Sequence, residues 1–100
     1  MRLVWHAQAE ADLLGIFDHL LDRDPQAALQ LLGTIRHQIE RLAEQPGLGR
    51  AGRIADTREL IIARTPYIAA YTVDRGLDAV IVLRVLHHSR MWPTAPFENP

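Results

Sequence analysis

The sequence predicts an α+β domain in which a helical hairpin packs on one face of a mainly antiparallel sheet. Two stretches repeat apolar residues at helical spacing and are separated by a short turn, which predicts the hairpin. Three strand-length segments rich in Ile, Val, Leu and Tyr then follow with short links, which predicts antiparallel pairing. A short alternating segment precedes the helices, so the order is strand, helix, helix, strand, strand, strand.

Arg2 to Trp5 alternates weakly and stops before alanines and acids, as a short strand does. From Ala7 to Leu21, Leu13, Leu14, Ile16, Phe17, Leu20 and Leu21 form an apolar stripe opposite Glu10, Asp12, Asp18 and Asp22. Asp24-Pro25 is a start signal, because Asp caps free amides and Pro is tolerated in a first helical turn. The second helix is predicted from Pro25 to about Glu44, with Ala28, Leu31, Leu32, Ile35, Ile39 and Leu42 inward. Gln45 to Arg53, with one proline and three glycines, reads as a loop in which Arg50 and Arg53 are available to a partner. Strands are expected at Thr57–Arg64, Tyr67–Asp74 and Ala79–Leu86, linked at Thr65-Pro66 and Arg75-Gly76-Leu77. The last is apolar on both faces except for Arg84, the pattern of a central strand. One domain over 1–93 with an irregular tail at 94–100 accounts for the whole chain.

Composition narrows the chemistry. No apolar run approaches the roughly 20 residues of a membrane helix, and the amino terminus lacks a secretory signal. With no cysteine, these features make a cytoplasmic location the expectation and a membrane role unexpected. A net charge of −1 gives no bulk attraction for a phosphate backbone, so any anion site must be local. All 11 basic residues are arginine, which a GC-rich coding sequence explains as readily as a need for bidentate contacts.

His87-His88 invites a metal, but neighbouring strand residues point to opposite faces, and His6, His19 and His37 show no zinc spacing. No metal site or cofactor is expected. Ser89, the only serine, sits in no nucleophile elbow, and PGLGRAGR lacks the lysine and hydroxyl of a phosphate-binding loop. Metal-independent RNA cleavage needs only a base, an acid and a cation for the phosphorane, and His87 or His88 with Arg84, Arg90 or Arg58 are suitable types. The plainer alternative is that Arg58 and Arg64 are solvated, Arg84 pairs with an acid such as Glu59, and the histidines merely end a strand. Trp92 and Tyr67 either cap the core or anchor a partner.

Trp5 with AEADLLGIFDHL, IERLAEQPGLGR, RELIIARTPYIAAYTV and VIVLRVLHHSRMWP together resemble the RelE/ParE superfamily of bacterial type II toxin–antitoxin toxins over nearly the whole chain. Arg58-Glu59-Leu60, Pro66-Tyr67, Tyr71 and Val85-Leu86-His87 are most similar to the ParE branch, often labelled plasmid stabilisation proteins. The resemblance implies a toxin held inactive in a hetero-oligomer with a cognate antitoxin, with Arg58, Arg64 and Tyr67 as antitoxin contacts. ParE-like action implies DNA gyrase as target, no intrinsic catalysis, and His87, His88, Arg90, Met91 and Trp92 as target contacts. RelE-like action implies instead a ribosome-dependent mRNA endonuclease using Arg58, Arg84, His87, His88 and Arg90. Nuclease relatives commonly carry an arginine where this chain has Ile68, and they are usually basic, which favours the ParE-like alternative.

Overall fold

A computed structural model describes residues 1–90. The elements are β1 (Arg2–Trp5), α1 (Ala7–Leu21), α2 (Pro25–Glu40), a 3-10 turn (Arg41–Ala43), β2 (Arg50–Ala51), β3 (Arg58–Ile61), β4 (Tyr67–Asp74) and β5 (Ala79–His87). The sheet order is β1-β5-β4-β3-β2. β2 through β5 pair antiparallel with their neighbours, whereas β1 lies parallel to β5, with Arg2 opposite Ala79 and Trp5 opposite Val82. The long connection from β1 back to β5 is what permits that parallel pairing.

The helices start where local chemistry satisfies their free amides. His6 Nδ1 accepts the Gln8 N–H at 3.1 Å and Asp24 Oδ1 accepts the Ala27 N–H at 3.1 Å. The second helix ends at Glu40, earlier than its apolar pattern suggested, because the 3-10 turn carries Leu42 into the core. The core lies between the helical hairpin and one sheet face: Ala9 and Leu13 of α1 and Ile35 and Ile39 of α2 pack with Ala69, Tyr71, Val80, Val82 and Val85. Trp5 closes its edge beneath the Arg36 guanidinium, 5.5 Å from the ring centroid. Ile68 and Leu86 pair on the opposite sheet face and are each 2% exposed.

Three sequence expectations need correction. The segment expected to be a loop contains β2, two residues paired to β3. The strand expected over 57–64 is shorter, and Arg64 adopts φ 65° in the turn before β4. Arg84 pairs with Asp12 of α1, not with Glu59.

Candidate functional site: the end of the last strand

β4 and β5 keep register from Tyr67–His87 to Ala70–Arg84 and then shift, because Tyr71 is opposite Val82 and Leu83 is left over. Asp12 stitches this irregularity to α1. Its Oδ2 accepts from Arg84 Nε at 2.7 Å and from the Val85 N–H at 2.9 Å, and its Oδ1 accepts from Arg84 Nη2 at 3.0 Å. The two side chains are 13% and 17% exposed, so this is a mostly buried bidentate pair. Arg84 is thereby turned toward the helices.

Beyond the bulge the strand delivers His87 against Tyr67, ring edge to ring face at 5.7 Å and 82°. The alternation that would send His87 and His88 to opposite faces ends there, because β5 stops at His87. His88 is held by its N–H donating to the Pro66 carbonyl at 2.7 Å, and its ring stacks on His87 at 4.7 Å and 28°. The Ser89 N–H donates to His87 Nδ1 at 3.1 Å, and the Ser89 hydroxyl lies 2.8 Å from the same nitrogen. The Arg90 N–H closes the turn on the His87 carbonyl at 2.9 Å. A shallow cleft beside this turn is lined by Gly15 and His19 of α1 with Tyr67, His87 and Arg90.

The loop after β2 reaches the same end of the sheet, since Arg53 Nη1 donates to the Arg90 carbonyl at 3.5 Å. Arg53 also donates its N–H to Glu59 Oε2 at 3.1 Å, and Arg50 lies 3.4 Å from Oε1. Glu59 is 1% exposed, and its charge is balanced by two arginines, since Arg53 Nε lies 3.5 Å from Oε2 and Arg50 Nη2 lies 3.4 Å from Oε1. Arg58 is not a solvated charge: its Nε donates to the Gly49 carbonyl at 2.9 Å and its Nη2 to that of Gly47 at 3.1 Å. Exposed Arg64 lines a different cleft, with Leu29, Gly33 and His37 of α2. The structure thus gathers His87, His88, Arg90 and Tyr67, engages the nearby Arg84 with Asp12, and places Arg58 and Arg64 at other clefts. Met91, Trp92 and the tail expected over 94–100 lie outside the described residues. Asp12 was missed by sequence reading, because nothing local links it to a residue 72 positions away.

Among the described residues no group of three or more His, Asp or Glu is placed to hold a metal, and no helix is long and apolar enough to cross a membrane.

Residues 3–92 match the family described as ParE toxin of type II toxin-antitoxin system, parDE. The chain is 37% identical over 92 residues to the Sinorhizobium fredii protein named "Putative toxin Y4kP", covering 92% of this chain and 93% of that one. Its fold is similar to a chain of the chromosomal ParDE system from P. aeruginosa, at TM-score 0.78 and 30% identity, covering 87% of this chain and 95% of that one. It is also similar to a chain of the intact E. coli RelBE toxin–antitoxin complex, at TM-score 0.60 and 15% identity with 89% and 98% covered, a likeness of fold alone. With a family match that spans both helices and every strand of the sheet, the chain belongs to the ParE toxin family of type II toxin–antitoxin systems, within the RelE/ParE superfamily.

Proposed function

We propose that this chain acts in the cytoplasm as a toxin that inhibits DNA gyrase by binding it, and that a cognate antitoxin neutralises it within a hetero-oligomer. The observation that carries the reading is the end of β5. His87 and His88 stack beside Tyr67 at the turn that the Arg90 N–H closes, and the nearby Arg84 is engaged by Asp12. Ile68, where nuclease relatives commonly hold phosphate with an arginine, is an apolar residue 2% exposed. Met91 and Trp92 continue the proposed target surface in sequence. Arg64 and Tyr67 remain proposed antitoxin contacts, and Arg58 is better read as a strut for the loop before β2.

The alternative, a metal-independent and ribosome-dependent mRNA endonuclease, draws on one observation: two histidines and an arginine within four residues are general acid–base and phosphate-binding types. Purified protein assayed for gyrase supercoiling and cleavage complexes, beside cleavage of ribosome-bound mRNA, separates the two. Expected are loss of supercoiling, accumulation of cleavage complexes and intact mRNA. The variant carrying His87→Ala with His88→Ala should weaken gyrase inhibition by about tenfold or more, as loss of a central contact does. Cut mRNA with unaffected gyrase overturns the proposal.

A further inference from the structure

The loop between β2 and β3 is pinned at several points. The Gly52 N–H donates to the Thr57 carbonyl at 2.8 Å, and the Thr57 N–H returns to the Ile54 carbonyl at 3.1 Å. The Thr72 hydroxyl of β4 donates to the Asp56 carbonyl at 2.8 Å, which ties the loop to the sheet. Arg53 therefore projects from a fixed base.

Glu59 of β3 lies opposite Ala70, which in turn lies opposite Arg84 of β5. From β3 to the chain that continues β5 is two strand spacings, roughly 10 Å across the sheet. Glu59 and Arg53 together bridge it. The Arg53 backbone N–H and Nε both address Glu59 Oε2, at 3.1 and 3.5 Å, and Arg53 Nη1 donates to the Arg90 carbonyl at 3.5 Å. Arg50 lies 3.4 Å from the other carboxylate oxygen, with no hydrogen bond to the β5 end among the described residues.

A buried carboxylate is a poor device for stability, because its desolvation consumes most of what the arginines return, and an apolar side chain of similar size serves as well. What the pair adds is position. With Nε directed at Glu59, the planar guanidinium has one way to turn Nη1, and that way meets the Arg90 carbonyl. The Arg90 N–H already donates to the His87 carbonyl at 2.9 Å, so the peptide groups on both sides of Arg90 are engaged where His87 stacks on His88.

We propose that Arg53 is a positioning residue: anchored by the buried Glu59, it clasps the Arg90 carbonyl and sets the conformation of the His87–Arg90 turn for target binding. The inference rests on the reading that this turn meets the target. Glu59, 1% exposed, acts only through Arg53. The fork of Arg53 is essential, because an ammonium in its place pairs with Glu59 or reaches the carbonyl, but does not do both.

The test compares isotope-labelled full-length protein with its Arg53→Gln, Arg53→Lys, Glu59→Gln and Arg50→Gln variants, by amide NMR and by inhibition of gyrase supercoiling. Both Arg53 variants should shift the amides of His87 to Arg90, leave those of α2 in place, and weaken inhibition about fivefold, the scale of one hydrogen bond. Glu59→Gln should reproduce these shifts and this loss. Arg50→Gln removes a partner of the same carboxylate, yet should leave the turn unmoved and inhibition within about twofold of the parent, as loss of an exposed ion pair does. Four results each overturn the clasp: turn amides unmoved in Arg53→Gln; Arg53→Lys equal to the parent; weaker inhibition without shifts at the turn, the mark of a direct contact; or Arg50→Gln equal to Glu59→Gln. A Glu59→Gln chain that does not fold leaves the two exposed Arg53 variants to decide. A parent inert toward gyrase refutes the gyrase reading instead, and the turn resonances then decide the clasp by themselves.

Discussion

At the scale of single residues, two glycines that look equivalent in sequence do opposite things. Gly49 is buried under Tyr71, whose hydroxyl accepts the Gly49 N–H and donates to the Pro46 carbonyl at 2.7 Å. A Cβ at Gly49 would stand 2.8 Å from the Glu59 carbonyl, Tyr71 Cε1 and Tyr71 Oη, so backbone and a core ring would both have to yield. Gly49→Ala is expected to cost about 2 kcal/mol in urea unfolding, the range of an overpacked core. Gly15 lies mid-helix with nothing within 4 Å of an added Cβ, so Gly15→Ala should stabilise by about 0.5–1 kcal/mol. Equal effects of the two substitutions would contradict this account. His87 stands out in sequence because two histidines close an otherwise apolar strand. Only the solvated alternative for Arg58 fails, because its partners are backbone carbonyls, which leave no mark in side-chain pattern.

At the scale of elements, the helices and the long strands were legible and the short strand was not. α1 and β4 match their expected bounds because periodicity, caps and turns agree there. β2 is invisible locally: two exposed residues in a glycine-rich loop become a strand only because the edge of β3 and the buried Glu59 carboxylate hold them. Likewise the positive φ in the β4–β5 turn falls on Asp78 at 52° and not on Gly76, the residue whose composition signalled the turn. The link between α1 and β5 has an energetic consequence. Asp12→Ala would strip Arg84 of its bidentate partner and the Val85 N–H of its acceptor in a mostly buried site. The expected loss is about 3 kcal/mol by chemical unfolding, with Asp12→Asn losing less because one carbonyl oxygen remains. An Asp12→Ala variant as stable as the parent would show that packing alone docks the helix on the bulge.

At the scale of the whole molecule, the sheet order puts the first and last strands side by side and gathers chain from α1, β4 and β5 at the histidine end, while β2 and β3 form the far edge. Sequence could supply the antiparallel run but not the parallel partner of β5, since four residues of β1 carry no sign of where they pair. Charge, by contrast, is fully legible and predicts how the molecule finds its target. The net charge is −1, and the arginines that the structure ties to the β5 end are Arg90 and Arg53. Two arginines can release counterions from about two phosphates, which puts the slope of log K against log salt near −2 for B-DNA contacted at that end. Binding to a nonspecific duplex should therefore be weak and shallow in salt, and if the proposed target is gyrase, binding to it should keep most of its affinity between 50 and 200 mM salt, roughly the interval over which phosphate-tracking proteins lose orders of magnitude. Fluorescence anisotropy with labelled protein across that interval checks both statements. A slope near −6 on the duplex would mean that phosphate contacts dominate its binding, and would favour the ribosome as target.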